Sequence, residues 1–410
     1  MNGQHRSGSS RPAFFVTLTG GVLLSLALAW LSLGGGGVAS WLALVGALMS
    51  GGGWITWRRR IGRSWFEVLD VLSRPIALMV IFFLFWLLVP GGKFATANNI
   101  ENILVQSTVI AAAALGATMV IIAAGIDLSV GSVIALTVVV VAYVLNLHTG
   151  EGADAQYLIE RWPRLLPILA VVGGVGAASL VGWFNGVLIT GLRIVPFIVT
   201  LGSLQMIRGL AKGIAGEQNI YPPEYLPSPP YPQRTDIWVN LLMEPVHGSA
   251  TRQWMILPPG VWMTLIAALG AALLLRYTRL GRHIYAIGSN EQTARLCGVP
   301  VTRTKIIVYT LAGFFAALAG IMQFSYIGIG QPTTAVGYEL FVIAAVVIGG
   351  GSLMGGEGSI LGAILGALII KVLETGGVQM GWAKWVQDIV TGGIIVLAVA
   401  IDQLRHRRAT

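Results

Sequence analysis

Apolar runs recur along nearly the whole chain, each closed by charge, glycine, proline or asparagine. Read as helices, they predict twelve elements, at 12–33, 38–57, 75–90, 103–125, 131–147, 165–190, 196–214, 260–275, 306–328, 339–352, 358–375 and 382–402. A run of about 20 apolar residues crosses roughly 30 Å of hydrocarbon as a helix. The first run is too long for a signal-peptide core, and the second follows directly after Gly34 to Gly37, so the pair predicts an uncleaved hairpin. Composition agrees with the pattern. The 410 residues are 55% hydrophobic and 10% charged, with a mean hydropathy of +0.78, where a soluble domain carries about 25% charge. The expected fold class is an all-α polytopic membrane protein, its backbone satisfied inside helices.

Charge then orients the spans. Twelve crossings put both termini on one side, and 17 of the 26 basic residues fall on that side, among them Arg58, Arg59, Arg60, Arg63 and Arg74, the run from Arg276 to Lys305, and Arg405, Arg407 and Arg408. The opposite side holds Lys93, Arg161, Arg164, Arg234 and Arg252. Positive-inside bias therefore predicts both ends in the cytoplasm. The net charge of +9 follows the membrane, which removes a nucleic-acid reading. Cys297 is the single cysteine, excluding an intrachain disulfide and a cysteine-built metal site. The five histidines sit in tails and loops with no pair at metal-ligand spacing, so neither a metal site nor a membrane-embedded enzyme is expected.

Two turns interrupt the apolar pattern with an acid. In "GIDLSVGS" (Gly125 to Ser132), Gly125 can close one helix while Asp127 or Ser129 caps the next. The competing reading has Asp127 lining a substrate or proton path, because carboxylates within membrane segments are functional by default. "VIGGGSLMGGEGSILGAIL" (Val347 to Leu365) repeats the arrangement around Glu357. Helices beginning at 75, 103, 131 and 165 share orientations with those at 306, 339, 358 and 382, which points to two parallel repeats.

Several long stretches carry a family resemblance. "ALGATMVIIAAGIDLSVGSVIAL", "VPFIVTLGSLQMIRG", "TRLGRHIYAIGSNEQTARLCGVPVTRTKIIVY" and "GYELFVIAAVVIGGGSLMGGEGSILGAILGALI" resemble the ribose/xylose-type permeases of bacterial ATP-binding-cassette sugar importers, in order, from about Phe94 to Asp402. The resemblance implies a permease domain over 75–402 with a ten-helix core, to which 1–74 adds a tail, an extra hairpin and a basic linker, and 403–410 a basic tail. It also implies a bacterial inner-membrane location and three partners: a cytoplasmic ATPase, a periplasmic or lipid-anchored sugar-binding protein, and a second permease copy or paralogue. ATP and magnesium would belong to the ATPase. The chain's own lysines are followed by Phe94, Gly213, Ile306, Val372 and Trp385, so no P-loop "GK[ST]" is present. An ion-coupled secondary carrier is the alternative; it calls for acids buried mid-membrane, whereas Asp127, Glu339, Glu357 and Asp388 fall near predicted helix ends.

Within the 276–305 loop, "SNEQTARLCG" reads as a short helix: Ser289 caps it, Gln292 reaches back, and Gly298 ends it before Pro300. Its position matches the family's ATPase-coupling helix, which makes Ser289, Asn290, Glu291, Gln292, Ala294, Arg295 and Gly298 the expected contact residues. Sugars need hydrogen-bonding groups and aromatic faces, so the path candidates are Gln106, Thr118, Asp127, Trp183, Phe184, Asn185, Phe197, Thr200 and Gln205. Taken singly, each is better explained as interhelical glue than as a ligand. Arg208 and Lys212 are expected to snorkel to the outer surface, and Lys371 to pair with Glu374. The proline-rich stretch 215–259 reads as a stiff periplasmic loop that either meets the binding protein or lies on lipid.

Overall fold

The computed structural model describes residues 65–149, 156–222, 238–246, 256–394 and 396. The predicted hairpin at 12–33 and 38–57, most of the proline-rich loop and the C-terminal tail lie outside these residues. The described chain is helical: α1 (Trp65–Leu88), α2 (Ala97–Ile122), α3 (Val130–Leu145), α4 (Leu165–Gly191), α5 (Pro196–Ile214), α6 (Pro259–Tyr277), α7 (Arg279–Ser289), α8 (Glu291–Leu296), α9 (Val301–Ile327), α10 (Tyr338–Ile348), α11 (Ile360–Gln379) and a helix, α12, over 384–394. A two-residue antiparallel pairing of His148–Thr149 with Gln156–Tyr157 joins α3 to a single helical turn before α4.

Five of these, α2, α4, α6, α9 and α11, are long and apolar enough to cross a membrane. The shorter apolar stretches are Ser73–Leu88, α3 and α10. At 11 residues, α10 is too short to cross alone. α5 matches the spanning helices in length but is more polar, carrying Thr200, Ser203, Gln205, Arg208 and Lys212. The loop 276–305 holds more structure than its sequence suggested. Arg279–Ser289 is a second helix, with the Thr278 hydroxyl accepting from Gly281 N–H at its start.

α2 is the axis of the bundle. It is 94% buried over its apolar window and meets α9, α11, α10, α6 and α7. Its side chains explain why neighbours fit on every side: Ala111 to Ala114 and Gly116 present almost no bulk, and a Cβ on Gly116 would stand 2.7 Å from the Cα of Ala312 on α9. α9 is held from the other side by α4, its most extensive partner. There Gly182 and Gly186 form one small-residue face. A Cβ on Gly182 would collide with the Tyr309 carbonyl, and one on Gly186 would lie 2.8 Å from the Cα of Ile306. Between helices in lipid there is little hydrophobic drive, so close backbone approach of this kind supplies the dispersion contact that holds the bundle.

The packing predicts a contrast within one helix. Gly182→Ala should force α4 and α9 apart and cost about 1–3 kcal/mol, lowering membrane abundance and melting temperature. Gly176→Ala, where a Cβ meets nothing within 4 Å, should be neutral or slightly stabilising, since Ala exceeds Gly in helix propensity by about 1 kcal/mol. Equal melting temperatures for the two variants in detergent would contradict the glycine-face account.

Candidate functional site

The polar residues of the α2–α3 break do not stay local. After Ile122 the chain leaves the helix through Ala124, at φ +56°, and Gly125. Asp127 is buried, and its Oδ1 accepts both the Ser129 backbone N–H at 2.8 Å and the Ser129 hydroxyl at 2.6 Å. Ser129 occupies the N-cap position of α3 but makes no side-chain cap bond there; Asp127 instead holds Ser129. The Ser129 Oγ accepts in turn from Asn185 Nδ2 on α4 at 3.1 Å, and Asn185 Oδ1 accepts from the Ser203 hydroxyl on α5. One buried chain therefore runs from α5 through α4 into the break, each donor pointing towards the carboxylate. Thr200, a turn before Ser203, donates to the Ile126 carbonyl at 3.2 Å and to Pro196 of its own helix at 3.0 Å. On the facing side, the buried hydroxyl of Tyr309 has no hydrogen-bond partner and lies so close to the break that a Cβ on Gly125 would stand 2.5 Å from it. Tyr309 was not singled out from sequence, where one hydroxyl in "KIIVYTLAGFF" reads as an ordinary aromatic.

The other path candidates separate into two groups. Asn185 belongs to the buried chain and Thr200 turns in beside it to the Ile126 carbonyl, whereas their neighbours Trp183, Phe184, Phe197 and Gln205 are exposed on the outward faces of α4 and α5. The helical period produces this split, because Gly182 and Gly186 must turn towards α9 and take Asn185 with them. Thr118 is buried and hydrogen-bonds back to Ala114 at 2.6 Å, and Gln106 donates to Asn102 at 3.1 Å. Both satisfy themselves within α2.

The 276–305 loop presents a rigid corner. Asn290, extended at φ −160° and ψ 106°, separates α7 from α8, and its side chain accepts from Thr293 N–H. Asn290 is the cap, not Ser289, which ends α7. Gln292 then falls at the second helical position, one short of where a capping box needs it. Gly298 closes α8 as expected, at φ +78°, with its N–H on Arg295 O at 3.1 Å and Val299 N–H on Ala294 O at 3.0 Å, the paired bonds of a Schellman ending. Ala294 packs inward beside Ile287 and Val301, while Leu296 is 88% exposed. Glu291 is clamped by Lys305 at 2.6 Å and Arg295 at 3.0 Å. Burial pushes its carboxyl up, but the bond and charge of Lys305, then those of Arg295, outweigh this and hold it below the ordinary glutamate range. The clamp is therefore fully formed at neutral pH and is lost as pH falls through that lowered value.

Two lone charges also find their places. Lys371 pairs with Glu374 at 2.7 Å as expected. Arg208 does not snorkel. It is 9% exposed and donates from Nη1 to the Pro332 carbonyl at 3.1 Å and the Thr334 carbonyl at 2.6 Å. The irregular 328–337 segment needs donors inside the bundle, and an inward guanidinium provides them; Lys212 remains exposed.

The polar chain makes a testable distinction. Asn in place of Asp127 keeps the Oδ1 that accepts both Ser129 bonds, so Asp127→Asn should cost about 1 kcal/mol or less and leave transport intact. Asn185→Ala breaks the chain in its middle and should cost about 1–3 kcal/mol by stranding buried partners. Thermal melts of both variants in detergent, with uptake measured at matched abundance, check this; loss of transport in a stable Asp127→Asn protein would show that the charge itself is used.

The described residues also fit what comparison with known proteins finds. The chain is 36% identical over 349 residues to the ribose import permease protein RbsC of Escherichia coli K12, covering 85% of this chain and 98% of that protein. It is 33% identical over 346 residues to the L-arabinose transport system permease protein AraH of the same organism, covering 84% and 93%, and 33% identical over 312 residues to its D-allose transport system permease protein AlsC, covering 76% and 85%. No solved structure matches. A family model described as "branched-chain amino acid transport system / permease component" matches residues 99–399, and the chain belongs to that family of multi-pass membrane permeases.

Proposed function

We propose that this chain is the membrane subunit of an ATP-driven importer of a monosaccharide, working beside a second permease copy, above a cytoplasmic ATPase that holds ATP and magnesium, and below a periplasmic or lipid-anchored sugar-binding protein. Both termini and the 276–305 loop face the cytoplasm on this reading. The observation that carries it is the α7–α8 corner, a preformed helix that turns Leu296 fully outward beside Glu291, Gln292 and Arg295. Apolar side chains this exposed on a rigid, capped helix suit a groove on a partner. Similarity to permeases named for ribose, arabinose and allose, across most of each chain, supports the solute class.

The corner is wired into the bundle. Tyr285 of α7 donates to the Gly358 carbonyl at 2.9 Å, and Gly356 N–H bonds the Ile122 carbonyl at the end of α2 at 2.9 Å. Gly288 lies against the same Ile122 carbonyl with no room for a side chain. A displacement of α8 imposed by ATP binding below is passed through α7 to α2 and to the α10–α11 turn, by the Tyr285 hydroxyl and by the close backbone contact at Gly288. From the α2–α3 break, the Asp127–Ser129–Asn185–Ser203 chain extends to α4 and α5, whose outward faces carry Trp183, Phe184, Phe197 and Gln205. These aromatic and amide groups suit a sugar's apolar faces and hydroxyls, and facing a second copy they would line the conduit.

Reconstitution tests the whole reading: proteoliposomes holding the permease and its ATPase should accumulate sugar only with internal ATP and external binding protein. Uptake by this chain alone, collapsed by a protonophore and indifferent to ATP, would establish an ion-coupled carrier in its place. The corner has its own test. A Cβ on Gly298 meets nothing within 4 Å, so Gly298→Val adds no clash, only an unfavourable left-handed dihedral costing about 1 kcal/mol or more. The variant should reach the membrane at normal abundance yet lose uptake and substrate-stimulated ATP hydrolysis. Normal stimulation would remove α8 from the interface.

A further inference from the structure

α5 is an unusual helix in this bundle. It packs on α3 and, over a shorter stretch, on α4, while Phe197, Ile198, Leu201, Met206 and Leu210 stay exposed. Among the described hydrogen bonds, its side chains reach other elements only through Thr200, Ser203 and Arg208. The first two go to the α2–α3 break and to α4. Arg208 alone reaches the strap between α9 and α10.

That strap is held in a conformation it would not choose. Ala335 takes φ +55° although it has a side chain, a departure that persists only where the surroundings impose it. Gly330 exchanges backbone hydrogen bonds with Ile220, and Gln323 Nε2 donates to the Thr334 hydroxyl at 3.2 Å. Arg208 binds the carbonyls of Pro332 and Thr334. A neutral amide could bond such carbonyls with far less desolvation, so a buried cation there calls for a compensating charge. Glu339 provides it. Its Oε2 is buried with no hydrogen-bond partner, and it shares the space over Gly131 with the Ala335 carbonyl, which a Cβ on Gly131 would approach to 2.5 Å. The carboxylate therefore stands beside the strap, at the carbonyl one residue on from the one that Arg208 grips.

We propose that Arg208 is a positioning residue for transport: with Glu339 as its neutralising carboxylate, it fastens α5 to the 331–335 strap and so sets the register of the exposed α5 face that carries Gln205 and Leu201. The inference rests on the conduit reading above. It assigns Arg208 no contact with the sugar; its effect passes through α5.

The test uses the full assembly in proteoliposomes and the purified permease in detergent. Arg208→Gln removes the cation from beside the Glu339 carboxyl and weakens the grip on the strap, and should cut maximal uptake at least about tenfold, the equivalent of about 1.4 kcal/mol. The half-saturating concentration of loaded binding protein should stay unchanged, because Arg208 is buried and cannot touch that protein. Arg208→Lys, which keeps the charge, should retain more uptake than Arg208→Gln. Adding Glu339→Gln to Arg208→Gln should recover uptake severalfold and raise the lowered melting temperature. Uptake by Arg208→Gln within about twofold of the unaltered protein, or a double variant no better than the single one, overturns the proposal. If Arg208→Gln is not recovered from membranes, Glu339→Gln alone decides, since it keeps shape and removes only charge: normal abundance with about a tenfold loss of maximal uptake supports the pair, and unaltered uptake sinks it. The melting comparison separates this from the solute assignment. An unaltered assembly that imports no monosaccharide refutes the conduit reading, while recovery of stability in the double variant still reports the pair.

Discussion

Hydrocarbon offers no hydrogen bonds, so wherever this chain abandons helical geometry inside the bundle it must be enclosed by protein that supplies them. Among the described residues, the breaks at 123–129 and 328–337 show how this is met. The first is met by Asp127, Ser129, Asn185 and Thr200, the second by Arg208, Gln323 and the pairing of Gly330 with Ile220. The breaks also meet one another, since Gly131 at the start of α3 lies under the Ala335 carbonyl. Enclosure on this scale requires helices that approach closely. Hence the alanine-rich α2 at the centre and the glycine face of α4 against α9.

Small residues and polar residues consequently do linked jobs here. Gly182 and Gly186 bring α4 within backbone distance of α9, and that approach fixes Asn185 facing inward, where it completes the chain from Ser203 to Asp127. Trp183 and Phe184, on the opposite side of the same turn, are left outward. A single four-residue repeat thereby decides which side chains serve as structure and which are free to meet another molecule.

Among the described residues, the helices were readable where a long apolar run marks them, as for α2, α4, α6, α9 and α11, and the 196–214 boundary matches that of α5. What escaped depended on contacts between distant segments. Trp183, Phe184 and Asn185 read alike as path candidates because nothing local shows that Gly182 and Gly186 face Tyr309 and Ile306. Arg208 read as a snorkelling residue because its carbonyl partners lie 124 and 126 residues away. Asn290 was passed over as the cap because Ser289 is an equally good cap by type; the choice was made by α7, an amphipathic helix that carries helical geometry through Ser289 and leaves Asn290 as the extended residue. Gly298 was legible because its requirement is local, a left-handed residue between a helix and Val299-Pro300. Ser129 and Ser203 were visible as polar residues, but their link through Asn185 was not.

The two acid-bearing turns noticed first in the sequence finally converge. The α10–α11 turn lays Gly355 against Ala124 and bonds Gly356 N–H to Ile122, so it touches the start of the "GIDLSVGS" break, and both abut Gly288 at the end of α7. Glycines at such a junction remove the side chains that would otherwise cushion relative motion, and the backbones of three elements bear directly on one another. A junction of that kind can move as a unit or come apart, but it has little capacity to deform gradually. The α8 corner lies immediately beyond Ser289, and the buried polar chain begins a few residues past Ile122. The geometry therefore places one stiff joint between the surface that suits a partner and the polar core that links α4 and α5, which is the arrangement a transporter needs if force applied at its edge is to reorient helices at its centre.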